Sequence, residues 1–185
     1  MFLRQSTVGR EPLAIAMSGV RMGERLLQIG VDTPVVTSLL AAKPGLSGES
    51  SIVVVDEETA TQVRRAISET SALVNVAVHN LDALPFDAGS FDVVVVHNRN
   101  GRLARLVDAQ DSAALAECRR VLRSGGRVVV LDKGTPTGLT AIFQSRTRPV
   151  PVETTIRALK TAGFRAVRQL GDRDGYRFVE GLKVE

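Results

Sequence analysis

The stretch Arg25–Pro34, RLLQIGVDTP, decides the fold. Leu26 to Ile29 is a short apolar run suited to a buried strand, and Gly30 opens a turn. Val35, Val36, Leu39 and Leu40 then recur at helical spacing until Lys43-Pro44-Gly45 stops them. The next apolar run, Ile52 to Val55, ends on an acid, Asp56. A strand, a turn, a helix and an acid closing the second strand are the parts of a nucleotide site at the edge of a parallel sheet.

The same alternation continues outward. Ala60, Val63 and Ile67 fall on one helix face, and Val74 to Val78 and Phe91 to Val96 read as further strands. Leu115, Cys118, Val121 and Leu122 mark a helix ending at Ser124-Gly125-Gly126, before a fifth strand over Arg127 to Leu131. Near-continuous Val/Ile/Leu runs indicate strands covered on both faces. Their alternation with helices indicates right-handed crossovers and a parallel sheet.

Val152, Ile156, Leu159 and Ala162 form a last helix closed by Gly163. Beyond it, two strand-like runs, Phe164 to Leu170 and Tyr176 to Leu182, flank Gly171-Asp172-Arg173-Asp174-Gly175, a hairpin signal. The expectation is an α/β, three-layer Rossmann-like fold whose mostly parallel sheet ends in an antiparallel hairpin. Glu11 to Met22 is expected to be a helix beside the first strand, weakened by Gly19.

Bulk properties bound the partners. The 185 residues suit one domain, able to bury roughly 70% of its unfolded surface. Apolar runs are too short for a membrane span, and the first twelve residues lack the apolar core of a secretory signal. The single cysteine, Cys118, excludes an internal disulfide and makes a reducing cytoplasm the expected setting. The net charge of +4 rests on scattered arginines interleaved with carboxylates. Arg119, Arg120 and Arg123 could contact phosphates, but a solvated helix face is the plainer reading. No aromatic residues interleave with them, so nucleic acid is disfavoured as a partner.

Two segments carry a specific resemblance: Leu81–Asn98, LDALPFDAGSFDVVVVHN, and Leu115–Asp132, LAECRRVLRSGGRVVVLD. With them the chain resembles class I S-adenosylmethionine-dependent methyltransferases, in the branch that includes ubiquinone-biosynthesis and other small-molecule enzymes. The resemblance runs from about Leu13 to the end and implies a seven-stranded sheet. It divides residues 1–185 into an N-terminal helical segment (1–24), a cofactor-binding half (25–132), and a short lid with the last helix and hairpin (133–185). It implies S-adenosylmethionine as cofactor, held by Gly30, by Asp56 on the ribose hydroxyls, and by Asp82 with Ala83 on adenine. Asp56 also suits a helix N-cap, and Asp82 a plain turn before Pro85.

The family's first turn, an acid followed by G-x-G-x-G, is degenerate here. Gln28 replaces the acid, Gly30 is retained, and Asp32 and Pro34 stand at the later glycines. Losing the acid's contact with the cofactor ammonium costs ~1.5–3 kcal/mol, a ~10- to 100-fold weakening. Thr33 or Asp32 would cap the following helix, with Pro34 at its first position.

His97, at the end of the fourth strand, is the candidate catalytic base, with an ordinary pKa near neutrality. His79 reads as structural, and Asn98, Arg99 and Asn100 as candidate acceptor-pocket residues. Cys118 sits on an apolar helix face and does not suit a nucleophile. There is no Asn-Pro-Pro-aromatic motif and no metal-ligand spacing. Phe143–Val150 is a short lid region. The expected function is methyl transfer to a small-molecule acceptor; the alternative is a non-catalytic methyltransferase-like scaffold or binding module with weak or lost cofactor binding. The short lid and apolar tail hairpin raise a homodimer as an expectation.

Overall fold

The computed structural model describes residues 13–68, 73–99, 112–133, 151–173 and 176–185. Seven strands form one sheet: β1 (Arg25–Ile29), β2 (Glu49–Val54), β3 (Val74–Val78), β4 (Phe91–Arg99), β5 (Leu122–Lys133), β6 (Arg165–Arg173) and β7 (Tyr176–Leu182). Their spatial order is β3-β2-β1-β4-β5-β7-β6. The first five strands pair in parallel, and β7 runs antiparallel to both β5 and β6. The order reverses between β1 and β4, which opens a crevice at their carboxyl ends.

The described helices are α1 (Leu13–Met17), α2 (Pro34–Ala42), α3 (Glu57–Ser68), α4 (Ser112–Val121) and α5 (Val152–Thr161). The valine run of β4 shows why the sheet is covered twice. Val93 and Val95 pack with Leu26, Val36, Leu40 and Phe178 on the α1 and α2 side. Val94 and Val96 pack with Leu115, Cys118 and Leu159 on the α4 and α5 side. A third cluster joins Ile52 and Val54 of β2 to Ala60, Val63 and Ile67 of α3. Burying each such aliphatic side chain contributes roughly 1.5–3 kcal/mol over leaving it exposed.

Two boundaries differ from the sequence expectation. The first helix is five residues long and stops before Gly19, whose φ of 63° takes the chain out of the helical region. At the other difference, β5 begins at Leu122, directly after α4, and includes Ser124-Gly125-Gly126. A register shift against β4 between Phe91 and Val93 absorbs those residues, so the glycines make an irregular strand entry, not a loop. The hairpin is present as expected, with Asp172 opposite Arg177 and Arg173 opposite Tyr176. Asn100, the side chain of Arg99, the 134–150 segment and residues 174–175 lie outside the described residues.

Candidate functional site

The crevice holds a cavity of about 280 Å³, walled by residues from β1, β2, β4, α3 and α4. Gly30, Asp32, Asp56, His97, Asn98 and Cys118 are in its wall. Gly30 has φ +70°, and its amide donates to the Val53 carbonyl at 2.9 Å. A Cβ there would sit 3.5 Å from the His97 carbonyl, an ordinary contact, so the conformation, not space, requires glycine.

The turn after Gly30 is satisfied by the chain itself. Thr33 is the N-cap of α2, its hydroxyl accepting from the Val36 amide at 3.2 Å, and Pro34 fills the first turn. The Thr37 amide donates to the Thr33 carbonyl. Gln28 is fully buried; its amide nitrogen donates to the Thr37 carbonyl at 3.1 Å, which turns its oxygen toward His97. Asp32 is 5% exposed and accepts a hydrogen bond from the Tyr176 hydroxyl on β7. Tyr176 in turn stacks on Phe178.

His97 Nε2 lies 2.9 Å from the Gln28 oxygen. Since that oxygen can only accept, the imidazole proton resides on Nε2 and Nδ1 keeps its lone pair. Burial pushes the His97 pKa down to about 4, against a smaller opposing pull from the Asp32 carboxylate. The ring is therefore neutral at pH 7, the form a base requires, but weakly basic.

Asp56 follows β2 and does two jobs. Its carboxylate accepts from the Thr59 amide at 2.7 Å and the Thr59 hydroxyl at 2.9 Å, capping α3. It is also exposed and in the cavity wall.

Asp82 and Ala83 are exposed, and Leu81 beside them is the residue that enters the wall. Their loop is pinned to α4: the Leu84 amide donates to Glu117 at 2.8 Å, and Arg120 donates to the Leu84 and Phe86 carbonyls. His79 is exposed and outside the wall. Burial pushes the Cys118 thiol up to about 12, so it stays protonated and inert. Among the described residues no cluster could hold a metal ion.

Sequence reasoning missed Thr59, Gln62 and Leu81 in the wall, and Tyr176 behind it. Thr59 carried no signal of its own; only Asp56 before the helix marked a capped start. Tyr176 carried none, because its partner is 144 residues away.

A family model described as "Methyltransferase domain" matches residues 27–130, more than half of the chain. The chain belongs to this methyltransferase-domain family. A curated relative, the ubiquinone/menaquinone biosynthesis C-methyltransferase UbiE of Nitrosospira multiformis, is 30% identical over 177 residues, covering 92% of this chain and 64% of that protein. The chain thus spans a little under two thirds of that relative's length. The crystal structure of a SAM-dependent methyltransferase from Aquifex aeolicus superposes with a TM-score of 0.70 at 17% identity, covering 92% of this chain and 87% of that one. A SAM-dependent methyltransferase from Methanosarcina mazei gives 0.67 at 18% identity, covering 96% and 99%. At these identities the two structures establish the shared fold.

Proposed function

We propose that the chain is an S-adenosylmethionine-dependent methyltransferase acting on a small-molecule acceptor. The observation that carries this reading is the open cavity at the β1/β4 switch point with Asp56 in its wall. The adenosine half of the cofactor fits the groups present. Asp56 would accept from the ribose hydroxyls, Gly30 would allow close backbone approach, and Asp82 with Ala83, exposed just outside the wall, would meet the adenine edge beside Leu81. When bound, the cofactor supplies an electrophilic methyl group on a sulfonium.

The chain's own contribution is mainly positioning, which supplies much of the rate in a displacement of this kind. Val96, Leu115 and Ala114 give the cavity apolar walls that limit water. His97 is the candidate base, through Nδ1. Its low basicity places its contribution at the lower end of general-base effects, ~100-fold. The name of the UbiE relative directs the first assays to carbon acceptors. The same reading places the chain in the cytoplasm as one domain, with a homodimer as its candidate assembly. Among the described residues no helix is long and apolar enough to cross a membrane.

Calorimetric titration with S-adenosylmethionine and S-adenosylhomocysteine, on wild type and Asp56→Ala, tests the reading. Saturable binding that weakens about 10-fold or more in the variant supports it. An absence of heat at millimolar ligand would overturn it and leave the non-catalytic scaffold.

A further inference from the structure

The family's acid at the end of the first strand is Gln28 in this chain. Gln28 pairs in register with Val95, so His97, two residues further along the neighbouring strand, lies on the same face of the sheet. Both side chains are buried, and the amide bridges the Thr37 carbonyl of α2 to the imidazole Nε2. The order of donors along this bridge is fixed from its far end. A carbonyl only accepts, so Thr37 claims the Gln28 amide nitrogen, and the Gln28 oxygen is left to accept from Nε2–H. Nδ1 is then the ring nitrogen with a lone pair. Among the described residues it has no hydrogen-bond partner, although His97 is in the cavity wall.

An amide serves both of these neighbours. A carboxylate at position 28 could not donate to the Thr37 carbonyl, and its charge would favour the doubly protonated imidazolium, which has no lone pair to offer. An aliphatic side chain would leave Nε2–H without its partner in a buried place. The other titratable groups in the wall are Asp32, Asp56 and Cys118, and the Asp32 carboxylate pulls the ring toward protonation. A neutral Gln28 adds nothing to that pull.

We propose that Gln28 is a positioning residue: tied to the Thr37 carbonyl, it places the His97 proton on Nε2 and so leaves Nδ1 to accept a proton from the molecule being methylated. The proposal rests on the cavity being a methyl-transfer site, as read above. In that step the acceptor atom forms its bond to the methyl group, the carbon–sulfur bond breaks with its electron pair on sulfur, and the acceptor's proton passes to Nδ1. The positive charge lost by the sulfonium thus reappears on the imidazolium. Its Nε2–H bond to the Gln28 oxygen strengthens as that charge forms. The proton then leaves to water.

Long-range nitrogen–proton NMR on the full chain tests this, because it separates a protonated ring nitrogen from one with a lone pair. The chain has two histidines, and His79→Gln assigns the signals. In the wild type at pH 7, Nε2 of His97 is expected to be protonated and Nδ1 bare. In Gln28→Glu both nitrogens are expected to be protonated at the same pH. Gln28→Leu should lose the single tautomer, the two nitrogen shifts moving toward each other. A wild-type ring with its proton on Nδ1, or one doubly protonated at pH 7, would overturn the proposal whether or not either variant folds. A folded Gln28→Glu protein with the wild-type pattern would overturn it too. Adding S-adenosylmethionine separates the two levels. If calorimetry shows binding, the Nδ1 resonance should shift, and an unmoved resonance removes the base role. If no heat appears, the methyl-transfer reading and the base role fall together, while a protonated Nε2 still assigns the orientation of the ring to Gln28.

Discussion

The two ends of strand β4 handle charge in opposite ways. At its start, Asp92 accepts from the Arg25 amide at 2.8 Å and pairs with the guanidinium groups of Arg25 and Arg123. Nearby, Arg127 grips both oxygens of Glu24, and Arg120 grips both of Glu117. At its finish, His97 and Asn98 are buried polar groups in a cavity wall that contains two carboxylates and, among the described residues, no lysine or arginine. One rim is locked by matched ions. The other sets its polar groups around an open cavity.

The acid-sensitivity of the His97 end should be the larger effect. The imidazole titrates near 6.5 when unfolded and about 4 when folded. Its contribution is therefore intact above pH 6.5 and declines as pH falls toward 4, because the unfolded chain takes up a proton that the native state refuses. Urea unfolding across that window should show a loss on the order of 3 kcal/mol attributable to this group. The slope should flatten in His97→Gln; an unchanged slope would show that the imidazole is not held neutral.

Asp56→Ser sharpens the contrast next. Serine is a good N-cap, so α3 should stay capped and the melting temperature nearly unchanged. Nucleoside affinity, which needs the carboxylate, should still fall ~10- to 100-fold by titration calorimetry. Matching losses of stability and affinity would mean the residue serves only its helix.

The smallest effect belongs to the opposite rim. Burial pushes Asp92 upward, but hydrogen bonds from Arg123 and Arg25 outweigh it and hold the carboxyl at about 2. Its stabilisation is present above its ordinary value of 3.8 and lost as pH falls through 2. Asp92→Asn should cost about 1–2 kcal/mol at pH 7 by chemical denaturation, discounted because both arginines are partly exposed. Ligand affinity should not move, and a large change would erase the division between the rims.

The architecture was legible because its signal is local. Unbroken runs such as Val93–Val96 admit only a strand covered on both faces, and the Asp-Gly hairpin signal placed the antiparallel tail. The rebuilt turn was legible too, since Gln28, Asp32 and Pro34 can be read residue by residue. What they became was not. Gln28 turned into a bridge between Thr37 and His97, and Asp32 into an acceptor for Tyr176. Both outcomes depend on side chains from strands distant in sequence. The first helix was overextended for a simpler reason: its apolar spacing continues past the point where Gly19 leaves the helical conformation.

The contact between Asp32 and Tyr176 also sets a timetable. Its two members are separated by 144 positions, and the later one lies on β7, the seventh of the described strands in chain order. A growing polypeptide emerges at ~5–20 residues per second, so the glycine turn waits several seconds for its closing hydroxyl. Until β7 slots between β5 and β6, Asp32 lacks its Tyr176 contact, although every residue of the cavity wall, from Ile29 to Cys118, has already been made.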